Sequence, residues 1–147
     1  MTLSNIDVAR RFGEDGATTG ASLHMFIDGD TVYSYGHHFP IARRFHLGPA
    51  PCYLFNSNGY SATTAQHKGR VRCKLRGRVI RIPGCNPELA GVQALDVQNQ
   101  ILEATKKRDR AKLEHKKTFW SETILELQQQ LDWLTMLDRQ NKTEASK

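Results

Sequence analysis

Along the first half of the chain apolar residues alternate with polar ones over short runs, broken by glycine, proline and aspartate. From about residue 95 onward they recur every three or four residues, with neither glycine nor proline to break the pattern. The first pattern predicts strands and the second helices. Residues 22–27 (SLHMFI) and 31–35 (TVYSY) favour strands, and Asp28, Gly29 and Asp30 between them supply turn chemistry, so this stretch predicts a hairpin. Phe39, Ile41 and Phe45 are candidate core anchors. Gly36 and Pro40 interrupt regular structure around them, and Gly48, Pro49 and Pro51 introduce a loop before residues 52–55 resume as a strand. NSNGY then predicts a turn, and SATTAQHKG a short helical turn closed by Gly69. Beyond it, Val71, Cys73 and Leu75 alternate with Arg70, Arg72, Lys74 and Arg76, and the pattern continues through Arg78 and Val79 into IRIP. That alternation predicts a strand with one apolar and one basic face.

Pro83, Gly84 and Pro87 mark a boundary. From residue 95 to residue 137 there is neither proline nor glycine, and the composition shifts to Leu, Gln, Glu, Lys and Arg, which predicts one long helix or two with a short break. Trp120, Ile124, Leu127, Leu131 and Leu134, at spacings of four, three, four and three, share one side of that helix. Such a stripe is expected to bury itself, either in a helical hairpin or against a second subunit or another protein. The fold class that follows is α+β: a flexible or partly helical lead-in over residues 1–20, a small basic β-rich body with hairpins over 21–87, a long C-terminal helix or helical hairpin over 93–140, and a fraying tail over 141–147.

With 147 residues, 39% hydrophobic and 24% charged, the chain suits one compact body with an appended element, and its composition excludes collagen-like or wholesale disordered classes. No apolar run approaches the ~20 residues of a membrane span, and residues 1–11 lack an export signal, so a cytoplasmic protein without membrane insertion is expected. Cys52, Cys73 and Cys85 are odd in number and widely spaced, which points to structural thiols.

Charge changes the picture most. Residues 1–92 hold 11 basic and 6 acidic side chains, and residues 93–147 hold 10 and 9, so most of the formal +6 belongs to the first part. Lys68, Arg70, Arg72, Lys74, Arg76, Arg78 and Arg81 fall in one stretch that contains no acidic residue. On a regular strand, alternate members would form a row with roughly 6–7 Å between neighbours. Phosphates would relieve their mutual repulsion, so largely sequence-independent contact with DNA or RNA is the leading functional expectation. Tyr33, Tyr35 and Tyr60 are candidates for base stacking. A charged edge strand that merely blocks aggregation is the competing explanation. In that case the helical stripe carries the function, as a structural or regulatory interaction module or a homodimer interface. A second basic region, Lys106, Lys107, Arg108, Arg110, Lys112, Lys116 and Lys117, is interspersed with Asp109 and Glu114 and reads as a solvated helix face.

An enzyme would need more. His37, His38, His46 and His67 are candidate acid/base groups for a metal-independent phosphodiesterase, with Lys68 or Arg70 holding transition-state charge, provided that separated histidines meet. No close CxxC or HxxxH pair suggests a metal, no glycine-rich phosphate loop suggests a nucleotide cofactor, and Asp28 and Asp30 are explained by turn formation, so no cofactor is expected.

Overall fold

The computed structural model describes residues 3–59 and 61–145, and it divides into a sheet unit, Met1–Asn86, and a helical unit, Pro87–Lys147. The fold class is α+β. In chain order the sheet unit contains α1 (Asn5–Gly13), β1 (Thr19–Ala21), β2 (Met25–Asp28), β3 (Thr31–Ser34), β4 (Pro40–Leu47), β5 (Ala50–Asn56), α2 (Ala62–Arg72) and β6 (Arg78–Ile82). The six strands form one sheet in sequence order, antiparallel as far as β5, with β6 added parallel to β5 through α2. The expected hairpin is present: β2 and β3 pair from Met25↔Ser34 to Asp28↔Thr31 across Gly29. Gly29 adopts φ +64°, a value that glycine accepts without steric penalty.

The lead-in contributes to the core. Ser4 caps α1 with a reciprocal box in which its Oγ accepts from the Asp7 N–H at 3.1 Å and the Asp7 carboxylate accepts from the Ser4 N–H at 3.3 Å. Val8, Ala9 and Phe12, placed on one side by helical spacing, are fully buried and join Met25, Ile27, Val32, Ala42, Val71, Leu75 and Val79 in the core. Arg44 fastens α1 to the sheet. Its guanidinium lies 4.2 Å over the Phe12 ring and donates to the carbonyls of Phe12 (2.8 Å), Ala17 (2.6 Å) and Gly29 (3.1 Å). The other face of the sheet carries Cys52 and Leu54 on β5 and Ile80 and Ile82 on β6, all buried.

The continuous basic strand expected over residues 70–79 does not form. Helix α2 runs through Gly69 to Arg72, a turn follows, and only Arg78–Ile82 is strand. Helical spacing explains the difference: Thr64, His67 and Val71 fall at i, i+3 and i+7 and are buried together, while Ser61 caps the helix by accepting from the Thr64 N–H at 3.3 Å. Val71 and Leu75 are both buried, but a separation of four suits a helix as well as a strand. Cys73, which a strand would place beside them, is exposed.

The helical unit opens with a short turn at Pro87–Leu89 and continues as α3 (Ala90–Arg110) and α4 (Glu114–Ala145). The two helices pack as an antiparallel hairpin. Near the connection Lys107 lies 4.8 Å over the Trp120 ring, and at the far end the Asn141 amide donates to the Pro87 carbonyl at 2.8 Å. Of the predicted stripe, Leu127 and Leu134 are buried, and Trp120, Ile124 and Leu131 are half-buried. Helix α4 extends through residues 141–145, where a frayed tail was the expectation. Among the described residues no helix is long and apolar enough to cross a membrane.

Candidate functional site

The basic residues singled out by sequence are divided among three settings. Arg70 and Arg72 sit near the end of α2, where alternate positions lie about 200° apart, so they project on opposite flanks of the helix instead of lining up. Lys74 and Arg76 lie in the turn that follows, and Arg78 and Arg81 on β6. Lys68 and Lys74 are engaged locally. Lys68 donates to the Asn58 carbonyl at 2.7 Å and lies 5.5 Å over the Phe55 ring, with burial pulling its pKa below the ordinary lysine value; Lys74 pairs with Glu14 at 3.6 Å. Arg70, Arg72 and Arg76 are exposed and have no acidic partner among the described residues. With the division at residue 86, the sheet unit holds 11 basic and 5 acidic side chains, while the helical unit holds 10 of each. The whole +6 therefore resides in the sheet unit. In the helical unit, Lys106, Arg108 and Lys117 pair with Glu103, Asp109 and Glu114.

Two of the candidate histidines, His67 and His37, sit in built environments. His67 is 2% exposed and lies between α1 and β3. The Ser22 hydroxyl donates to Oδ1 of Asn5, so Nδ2 of Asn5 faces Nε2 of His67 at 3.3 Å and donates to it. The ring proton is therefore on Nδ1, which donates to Ser34 Oγ at 2.7 Å. Thr64 stands beside Ser34, and the rings of His24 and Tyr35 lie 6.3 and 5.5 Å from that of His67. Burial first, then the neighbouring His24 and Arg70, pushes the His67 pKa below the usual imidazole value. Two separated histidines thus meet, but one of them is His24, which sequence spacing gives no reason to select. The closed network ties α1, β3 and α2 together.

The second environment is an open pocket of about 440 Å³ on the other face of the sheet, lined by Asp30, Thr31, Tyr33, His37, Arg43 and the Gly84–Asn86 turn, among others. Strand pairing places Phe26 opposite Tyr33, and their rings stack at 5.1 Å with an interplanar angle of 18°. The His37 ring leans on both, 4.9 Å from Phe26 and 4.8 Å from Tyr33, and its Nε2 is 3.0 Å from Asp28 Oδ2. Arg43, in register with Thr31, donates through Nε to Asp30 at 3.3 Å. Burial raises the Asp30 pKa, but the Thr31 hydroxyl and Arg43 together outweigh it and hold this carboxyl below its ordinary value. Gly84 (φ +62°) and Cys85 (φ +54°) form successive left-handed positions at the rim, unusual for cysteine. The Cys85 thiol is buried and pushed up to about 12, and burial raises that of Cys52 to about 11, so neither is a nucleophile at neutral pH.

Of the remaining candidates, Tyr35 is 52% exposed with φ +66°, His38 and His46 are exposed, and Tyr60 lies outside the described residues. Among the described residues no three His, Cys, Asp or Glu side chains converge as a metal site. No protein-family model, curated protein or solved structure matches the chain.

Proposed function

We propose that this protein binds nucleic acid through the basic surface of its sheet unit, with phosphate contacts supplying affinity that is largely independent of sequence. The observation that carries the reading is the set Arg70, Arg72 and Arg76: three exposed guanidinium groups without acidic partners among the described residues, in the unit that holds the entire net charge. Arginine offers forked donors suited to phosphate oxygens, and each contact releases condensed counterions. With Arg70 and Arg72 on α2 and Arg76 in the turn before β6, the basic surface is irregular and lacks the periodic row of a strand. Such a surface suits contacts that follow a backbone without reading a register.

The test is binding to unrelated duplex DNA, single-stranded DNA and RNA across a salt series, with the wild type beside a variant carrying Arg70→Gln, Arg72→Gln and Arg76→Gln. The reading requires affinity that falls steeply with salt and a large loss in the variant, with an unchanged circular dichroism spectrum. Equal binding by both proteins would refute the assignment of the surface, and no binding at low salt would refute the function.

A further inference from the structure

We infer that the pocket at Tyr33, His37 and Arg43 accepts a single unpaired nucleobase, which deepens the nucleic-acid reading above and rests on it. The pocket's volume of about 440 Å³ lies in the range of small-ligand sites. Its aromatic wall is built in layers. Phe26 and Tyr33 stack on one another and His37 packs against both rings, its Nε2 3.0 Å from Asp28, so contacts among the rings brace them before a ligand arrives. Braced rings lose little conformational freedom on stacking, and every base offers a π-face.

Arg43 completes the site. Its Nε is anchored on Asp30 and its guanidinium lies 5.3 Å from the centroid of the Phe45 ring, while its Nη groups have no partner among the described residues. These donors can meet the carbonyl or ring-nitrogen acceptors of a base edge. The charges balance locally, Asp30 with Arg43 and Asp28 with His37 when its ring is protonated, so the pocket has no large excess of positive charge for phosphate. Stacking and hydrogen bonding must then dominate, and binding here is expected to survive salt that screens the α2 surface. Bases within a duplex are already stacked on both sides, so the ligand is an unpaired base. The left-handed Cys85 at the rim fits this assignment, since uncommon backbone conformations concentrate at binding sites.

A free nucleotide and an unpaired base in a strand share this chemistry, and the probes separate them. Adenosine and uridine monophosphates, oligo(dA), oligo(dT) and a mixed duplex are titrated by calorimetry at low and high salt. The proteins compared are the wild type, His37→Ala, Tyr33→Leu and the Arg70/Arg72/Arg76→Gln variant. His37 is exposed, so its replacement leaves the core intact, and circular dichroism checks Tyr33→Leu. At high salt the wild type binds single strands in preference to duplex, and loss of either ring weakens this by about tenfold. Duplex binding at low salt is unchanged by the ring variants and strongly weakened in the arginine variant. Saturable binding of a monophosphate with the same ring dependence identifies a free nucleotide as sufficient, and binding of strands alone identifies a base within a chain. Single-strand binding at high salt that is equal in wild type and ring variants, or absent while low-salt duplex binding persists, overturns the pocket assignment and leaves the α2 surface standing. Absence of binding to every probe at low salt overturns both.

Discussion

Gly13 and His67 show how single positions hold the sheet unit together. A Cβ on Gly13 would lie 2.3 Å from the Lys74 carbonyl oxygen, where backbone and not a flexible side chain must yield. Helix propensity alone would favour alanine at the end of α1, but the clash outweighs it. Gly13→Ala is expected to destabilise the protein by about 1–3 kcal/mol, measured as a lowered urea midpoint. His67 makes stability depend on pH. Its folded pKa is depressed, so the unfolded chain binds the proton more readily, and stability falls as pH drops below the ordinary imidazole value and on through the folded value. The urea midpoint of the wild type should therefore fall between pH 8 and pH 5 by more than that of His67→Gln. An equal decline in both would show that the ring does not control the transition. Little of this was legible beforehand. The role of His67 depends on Asn5 and Ser34, which are 62 and 33 residues away along the chain.

At the scale of elements, helix α2 shows what a pattern can and cannot specify. Apolar residues at 71, 73 and 75 fit a strand, yet burial of Thr64, His67 and Val71 on one side favours a helix, and local sequence alone did not rank these solutions. Gly69 offers a direct check. A Cβ there meets no atom within 4 Å and its φ is not positive, so Gly69→Ala should raise stability by roughly 0.5–1 kcal/mol. A glycine that ended the helix in a left-handed turn would give the opposite sign. The helical hairpin supports a second contrast. Leu134 is fully buried and Leu125 is 70% exposed, so Leu134→Ala should cost about 2–5 kcal/mol, against a change within about 0.5 kcal/mol for Leu125→Ala, both read from denaturant midpoints. Because Leu127 and Leu134 are buried in this unit, polar replacements there test folding before they test self-association.

Across the whole molecule the governing feature is the uneven distribution of net charge between the two units. The helical unit balances its acids and bases, and the sheet unit keeps the excess. If Arg70, Arg72 and Arg76 each contact a phosphate on duplex DNA, replacing all three with glutamine should flatten the plot of log affinity against log salt by roughly 3 in slope, as measured by fluorescence anisotropy. An unchanged slope would move the phosphate contacts to other residues. The α+β class, the β2–β3 hairpin, the long C-terminal helices and the concentration of positive charge are written along the chain, because hydrophobic periodicity, turn residues and charge are local properties. Packing in three dimensions settles that the basic stretch bends from helix through turn to strand, that His67 meets His24, Asn5 and Ser34, and that Tyr33, His37 and Arg43 line one pocket. Those outcomes depend on which distant faces are buried together, and burial selects among local conformations that the chain's own pattern leaves nearly equivalent.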